Sequence, residues 1–357
     1  MCQLCSFIRD AEIISRTDHR RSLPRQVTII APLKDEEASI GRLIDGLLKQ
    51  TYQPAEIILT DGGSSDQTRE IIRDLQKTSS IPIVLIETDH AYPGRGRNLA
   101  IARAQNEWIA SIDAGIVPDL NWLWELVKTA ESEPVARIIY GQFEPVNDSY
   151  FTECAAVAYV LPPENRRFIA SSLFHITAWQ AAKGFREDLR TGEDLLFFES
   201  LDAAGVKGVY SQDAIVYWSL RSSINETFRY FVASSRHSLR AGLFFDWQFN
   251  VSRLYLLMLA ICFAGVWRPG LLLLIPLVLV LRAERRIFRW YRAKAPGEVW
   301  LRLLDPFRVL TVGWINILID VAMFCGMVHW VIRDCLGAGL ERMSKSRKAG
   351  VSLDLEP

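Results

Sequence analysis

Two long apolar stretches constrain this chain more than any other feature. From Leu254 to Leu281 the only charged residue is Arg268, and from Val309 to Ile332 the only one is Asp320. A helix crosses a bilayer with about 20 consecutive apolar residues, so both stretches read as membrane segments. Nothing before position 250 is comparable, and that part reads as a water-facing domain. Residues 1–26 carry charges throughout and lack an apolar stretch of the signal-peptide kind. The expectation is a domain that stays where it is made, facing the cytosol and fastened to the inner (cytoplasmic) membrane.

The first stretch is interrupted by Trp267-Arg268-Pro269-Gly270. Residues 282–308 hold eight Lys or Arg against three acids, a net of +5, and the positive-inside rule disfavours exporting such a loop. A hairpin turning at 267–270, spanning or re-entrant, keeps the loop in the cytosol, although each arm is short for a full crossing. A third segment follows at 309–332. Asp320 within it is expected to face protein or a lipid headgroup rather than acyl chains. Upstream, residues 222–250 mix Arg with aromatics (Phe228, Arg229, Tyr230, Phe231, Arg236, Arg240, Phe244, Phe245, Trp247), the composition of a helix lying in the bilayer interface. The whole-chain balance of 41 basic and 41 acidic residues excludes a generally basic nucleic-acid binder and a self-repelling disordered chain. Six cysteines form no disulfide framework, and the Cys2–Cys5 CxxC has no second pair to complete a metal site.

The water-facing part alternates. Residues 26–31 (QVTIIA), 56–60 (EIILT), 83–87 and 108–112 (WIASI) are short apolar, β-branched runs and read as buried strands. Between them, 39–49, 68–75 and 98–104 read as helices. Such alternation implies a parallel sheet covered on both faces, with ligands at the carboxyl ends of its strands. Three polar clusters fall there: Lys34–Glu37, Asp61–Asp66 and Asp113. In DGGSSDQT (61–68) the two glycines let the backbone turn closely around a ligand, Asp66 caps the next helix, and Asp61 is placed to accept a hydrogen bond from a base or ribose. The turn YPGRGRN (92–98) brings two arginines beside the strand ends, as a diphosphate ligand requires. Asp113 presents one carboxylate to Mg²⁺ or Mn²⁺, ions that take only one or two protein carboxylates beside phosphates and water. His90, His175 and His237 lack the partners of a metal site, and Trp122 and Trp124 read as packing residues.

In this order the motifs resemble glycosyltransferase family 2, with its Rossmann-like α/β GT-A fold for nucleotide-diphospho-sugars, over residues 26–245. VTIIAPLKDEE (27–37) resembles the first strand with its Pro-x-x-Asn-Glu loop, with Asp35 where Asn is usual. EIILTDGGSSDQT (56–68) resembles the nucleotide motif, and PGRGRNLAI (93–101) the Gly-x-x-x-Ala-Arg-Asn turn, with Gly96 replacing Ala. SIDAGIVPDLNWL (111–123) resembles the metal-binding Asp-x-Asp segment, with Gly115 replacing the second Asp, and TGEDLLF (191–197) the Glu-Asp motif. The resemblance implies that Pro32, Asp35, Glu36, Asp61, Gly62, Arg97 and Asp113 line the nucleotide-sugar site. It also implies that Asp61 meets the nucleobase, that Asp113 holds the divalent cation and that Asp194 meets the acceptor hydroxyl. Arg236 and Arg240 join the candidates for the diphosphate by position only, because the Gln-x-x-Arg-Trp motif is not present in standard form.

The implied activity is inverting transfer of a sugar from a nucleotide-diphosphate donor, a UDP-sugar, to a lipid-linked polyprenyl acceptor in exopolysaccharide or surface-glycan synthesis. Asp194 is the expected general base and Glu193 its orienting neighbour. A catalytically inert nucleotide-sugar-binding subunit of a membrane synthase is the competing reading, favoured by Gly115 alone. The expected organisation is a tail at 1–25, the catalytic domain at 26–221, interface helices at 222–253, the membrane region at 254–332 and a tail at 333–357.

Overall fold

The computed structural model describes residues 26–160, 166–244 and 248–336. The two expected tails, apart from residues 333–336, and the segment with Phe245 and Trp247 lie outside the described residues. The chain divides into two compact units. The first holds Met1–Glu144, Asn165–Asp188 and Glu193–Trp218; the second holds Pro145–Glu164, Leu189–Gly192 and Ser219–Pro357.

The first unit is built on one eight-stranded sheet. Its elements run β1 (Val27–Leu33), α1 (Ile40–Leu48), β2 (Glu56–Asp61), α2 (Thr68–Thr78), β3 (Ile83–Glu87), α3 (Pro93–Arg103), β4 (Trp108–Ile112), β5 (Ile116–Pro118) and α4 (Trp122–Ser132). β6 (Ile138–Val146) follows and, after α5 (Tyr150–Tyr159) of the second unit, β7 (Ser171–His175), α6 (Ile176–Ala181), α7 (Glu193–Ala203) and β8 (Gly208–Ser219). The strand order is β3-β2-β1-β4-β7-β6-β8-β5. β3, β2, β1 and β4 are mutually parallel, as the alternation predicts. Beyond β4 the sheet turns antiparallel, at β7 and again at β6, so the all-parallel expectation holds for only half of it.

Every residue of β2 is buried, the signature of a central strand covered on both faces. Ile40, Leu43, Ile44 and Leu47 of α1, spaced to share one helical face, are all fully buried. Each such side chain stabilises the fold by about 1.5–3 kcal/mol. Around the other helices Ile30, Ile58, Ile109, Phe174, Phe197 and Leu201 form one core cluster, with Phe185 stacked on Phe197 at 4.0 Å between centroids. Trp122, offered by the sequence as a packing residue, is fully buried and donates its indole N–H to Ser171 Oγ at 2.9 Å.

The second unit is helical: α5, α8 (Ile224–Arg240), α9 (Gln248–Gly265), α10 (Leu274–Lys294), α11 (Val299–Leu303) and α12 (Pro306–Trp330). α5 belongs here although its sequence lies inside the expected catalytic stretch. Its Glu153 accepts the Tyr291 hydroxyl at 2.8 Å and Arg308 Nη1 at 2.9 Å. Asp305 starts α12 by accepting the N–H groups of Phe307 and Arg308, with Pro306 at the first helical position. α8 lies against α12, where Ser235 donates to the Met323 carbonyl at 2.9 Å. The helix ending at Gly265 is followed by a short 3₁₀ turn at Pro269–Leu273, so the chain does break at the Trp-Arg-Pro-Gly segment. Two helices are long and apolar enough to cross a membrane, Gln248–Gly265 and Pro306–Asp334. Asp320 faces protein: it is fully buried against Arg282 and Tyr255.

Candidate active site

Three of the polar loops leave the sheet at the carboxyl edge of its parallel half, after β1, β2 and β4. β1 lies between β2 and β4, which makes this edge the point where strand order reverses and where open α/β sheets hold their ligands.

The loops after β1 and β2 are joined to each other. The Asp35 N–H donates to Ser64 Oγ at 2.8 Å, and Asp35 Oδ1 accepts the Ser65 N–H at 2.8 Å. The Glu36 N–H donates to Thr68 Oγ1 at 2.8 Å. The Glu37 N–H donates to Asp66 Oδ2 at 3.1 Å, while Glu37 Oε2 accepts the Gln67 N–H at 3.0 Å. Asp66 also accepts the Thr68 N–H at 3.1 Å, although the N-cap position itself falls to Gln67. Pro32 sits one residue before the end of β1, partly buried.

Asp61 is fully buried. Its carboxylate accepts the N–H groups of Gly63 and Ser64, each at 3.1 Å, the Ser64 hydroxyl, and Arg69 Nε at 2.6 Å. The group expected to meet a base is thus engaged by its own turn and by an arginine one helix away. The glycines beside it are also required by the chain's own packing. A Cβ on Gly62 would stand 2.5 Å from the Ala91 carbonyl oxygen, and one on Gly63 only 2.2 Å from that of Asp89. Gly63 also has φ +89, a conformation costly to other residues. Gly63→Ala is expected to destabilise the domain by more than about 1 kcal/mol; an unchanged denaturant midpoint would refute this.

Arg97 is the hub. α3 carries it into the interior, where it is 1% exposed. Nη2 pairs with Asp113 Oδ1 at 2.6 Å and Nη1 with Glu193 Oε1 at 2.8 Å. The guanidinium lies 5.5 Å from the Phe185 ring centroid. Both terminal amino groups are therefore held by the protein's own carboxylates, where the sequence expected them beside a diphosphate. Burial works against its charge, yet Asp113 and Glu193 together hold it more firmly protonated than an ordinary arginine. Burial pushes Glu193 up to about 7, against the pull of Arg97 and with the help of Asp194. Asp194, partly buried at the start of α7, accepts the Leu195 N–H at 2.9 Å. Burial raises its pKa too, opposed by Arg97 and aided by Asp113. One cation thus serves three acids, and the acids share a surplus of negative charge.

No group of three or more His, Cys, Asp or Glu suited to a metal occurs among the described residues. Asp113 nevertheless fits a Mg²⁺ or Mn²⁺ that takes the rest of its shell from phosphates and water. Its side chain is 39% exposed, and Oδ1 is the oxygen committed to Arg97. Gly115, at φ +81, has a Glu36 carboxylate oxygen 3.6 Å from where its Cβ would be, so an acid from the first loop stands beside the position that lacks one. That neighbour was not legible in sequence, since 79 residues separate the two positions. Arg69 was likewise missed. Arg236 and Arg240 lie in the second unit, where Asp334 pairs with Arg236 Nε at 2.7 Å and with Arg240 Nε at 3.8 Å.

The fold is an open α/β sheet of the GT-A type, with its polar loops at the carboxyl edge of the parallel half. Residues 28–185 match the profile described as glycosyl transferase family 2. Among curated proteins, the chain is 26% identical over 128 residues to the glycosyltransferase GlyG of Streptococcus pneumoniae, covering 35% of this chain and 42% of GlyG. The chain therefore spans under half the length of that relative. It is 23% identical over 265 residues to the dolichyl N-acetyl-alpha-D-glucosaminyl phosphate 3-beta-D-2,3-diacetamido-2,3-dideoxy-beta-D-glucuronosyltransferase of Methanococcus voltae, covering 65% of this chain and 80% of the relative. Among solved structures, the mannosyltransferase PcManGT of Pyrobaculum calidifontis, in complex with GDP-Man and Mn²⁺, shares the fold with a TM-score of 0.53 and 18% identity over 87% of this chain and 88% of its own.

Proposed function

We propose that the protein is a membrane-associated, inverting glycosyltransferase that moves a sugar from a nucleotide-diphosphate donor, a UDP-sugar, to a lipid-linked polyprenyl acceptor in surface-glycan synthesis. The observation that carries the reading is Arg97 joining Asp113 to Glu193, next to Asp194, in a chain whose residues 28–185 match the family 2 profile. The acceptor oxygen attacks the anomeric carbon as the bond from that carbon to the diphosphate oxygen breaks, and the nucleoside diphosphate leaves. Asp194 takes the hydroxyl proton; its raised pKa makes it a better proton acceptor than an ordinary carboxylate. Glu193 and Arg97 hold its surroundings fixed. A divalent cation at Asp113 supplies charge stabilisation to the departing diphosphate. The lipid acceptor is supported by the two helices long and apolar enough to cross a membrane, and by the Methanococcus relative, whose name gives a dolichyl-linked sugar phosphate as acceptor.

The test is release of nucleoside diphosphate across a panel of nucleotide sugars supplied with native membrane lipid extract. Release with one donor supports the reading; binding without release from any donor supports the inert subunit instead. Asp113→Ala is expected to abolish the gain in nucleotide-sugar affinity that Mn²⁺ gives, measured by calorimetry. An identical affinity with and without the substitution removes the metal role.

A further inference from the structure

The second unit holds charge inside a helical bundle whose outer face is apolar. Asp320 of α12 is fully buried. Its carboxylate binds both terminal amino groups of Arg282 on α10, with Nη2 2.9 Å from Oδ1, and accepts the Tyr255 hydroxyl of α9 at 3.2 Å. Asp320 is thereby satisfied. Arg286, one turn further along α10 on the same face, is partly buried. Among the described residues no carboxylate lies within ion-pairing distance of it. Arg282, Arg285 and Arg289 repel it, and only Asp320 offsets them at longer range. One turn before Asp320 on its own face of α12, Asn316 is 3% exposed and its Nδ2 has no hydrogen-bond partner. Two guanidiniums therefore face one carboxylate, and a buried amide donor on the same helix is unmet. An unmet buried donor destabilises the fold, so an anion with acceptor oxygens would relieve both.

The level of this cluster identifies the source of the anion. α10 is wholly uncharged over residues 274–281 and strongly basic over 282–294. Leu277, Val280 and Leu281 are exposed just before the change. α9 exposes Leu256, Leu257, Leu259 and Phe263, and α12 exposes Leu310, Trp314, Val321 and Val328. A helix that changes in this way beside apolar faces fits the boundary between acyl chains and headgroups, where lipid phosphates lie.

We propose that Arg286, with Asn316 Nδ2, forms a binding site for the phosphate of an anionic lipid, while Arg282 is held in place by Asp320 and Tyr255. The proposal rests on the membrane association proposed above and not on the transfer reaction. The full chain is partitioned between phosphatidylcholine vesicles and vesicles containing phosphatidylglycerol. Arg286→Gln is expected to lower the preference for the anionic vesicles by more than about fivefold, which is the worth of one arginine at a charged surface without a site. Arg286→Lys should retain most of the preference. Arg285→Gln removes the same charge from an exposed position and should cost clearly less. An equal loss from Arg285→Gln overturns the site, leaving general electrostatic attraction. Competition by inorganic phosphate at matched ionic strength also overturns it, because the anion is then not read as part of a lipid. A wild-type chain that stays off both kinds of vesicle overturns the site and the membrane reading together.

Discussion

Asp194→Asn should leave nucleotide-sugar binding intact while transfer falls by about 10²- to 10⁴-fold, the usual contribution of a positioned general base. The substitution keeps the shape of the side chain and can still accept the Leu195 N–H through its amide oxygen, so the start of α7 keeps its local geometry. What it removes is the proton acceptor. The separation of effects is the diagnostic: binding by calorimetry unchanged, turnover lost. Unchanged turnover would remove Asp194 from the reaction, and lost binding would make it part of the donor site instead.

Arg97→Gln should destabilise the first unit by about 3 kcal/mol. It removes the cation from between Asp113 and Glu193 and leaves a buried carboxylate without its partner. The loss should depend on pH in a defined direction. Glu193 in the folded chain has a pKa of about 7, above its ordinary 4.5. A carboxyl raised in this way stabilises the fold fully below the unfolded value, and that contribution is lost as pH rises through the folded one. Without Arg97 the folded pKa climbs further, so the deficit against wild type is greatest above that raised value, narrows as pH falls toward 7, and is flat from 7 to 5, where Glu193 is protonated in both folded chains. Denaturant midpoints across that range measure it. A deficit independent of pH would mean that Arg97 matters for packing, through Phe185, rather than for charge.

Arg97 also shows what sequence can and cannot reveal here. The parallel half of the sheet was legible because β1, β2 and β4 are short runs of buried Ile, Val and Ala, and α1 places Ile40, Leu43, Ile44 and Leu47 on one face. The positions of Asp61, Asp113 and Glu193 at element ends were legible for the same reason. Who pairs with whom was not. An arginine in a glycine-rich turn beside strand ends suits a phosphate, but Arg97 meets Glu193, 96 residues away. The paired glycines at 62 and 63 suit a ligand, but they admit the carbonyls of Asp89 and Ala91. α5 left no mark of its partners in the sequence, because its ion pair with Arg308 spans 155 residues. Local periodicity carries elements; long-range pairing of charges leaves no periodic trace.

The reciprocal bonds between the loops after β1 and β2 bear on how much a ligand must do on arrival. Asp35 exchanges bonds with Ser64 and Ser65, and Glu37 with Asp66 and Gln67, so the two segments are already fixed in one arrangement. A nucleotide meeting this edge has little chain to immobilise, and the entropy that ordering two free loops would cost is spent during folding instead. The rim of the cleft is preorganised by its own acids and hydroxyls. Loosening either loop should therefore weaken a ligand that touches only the other.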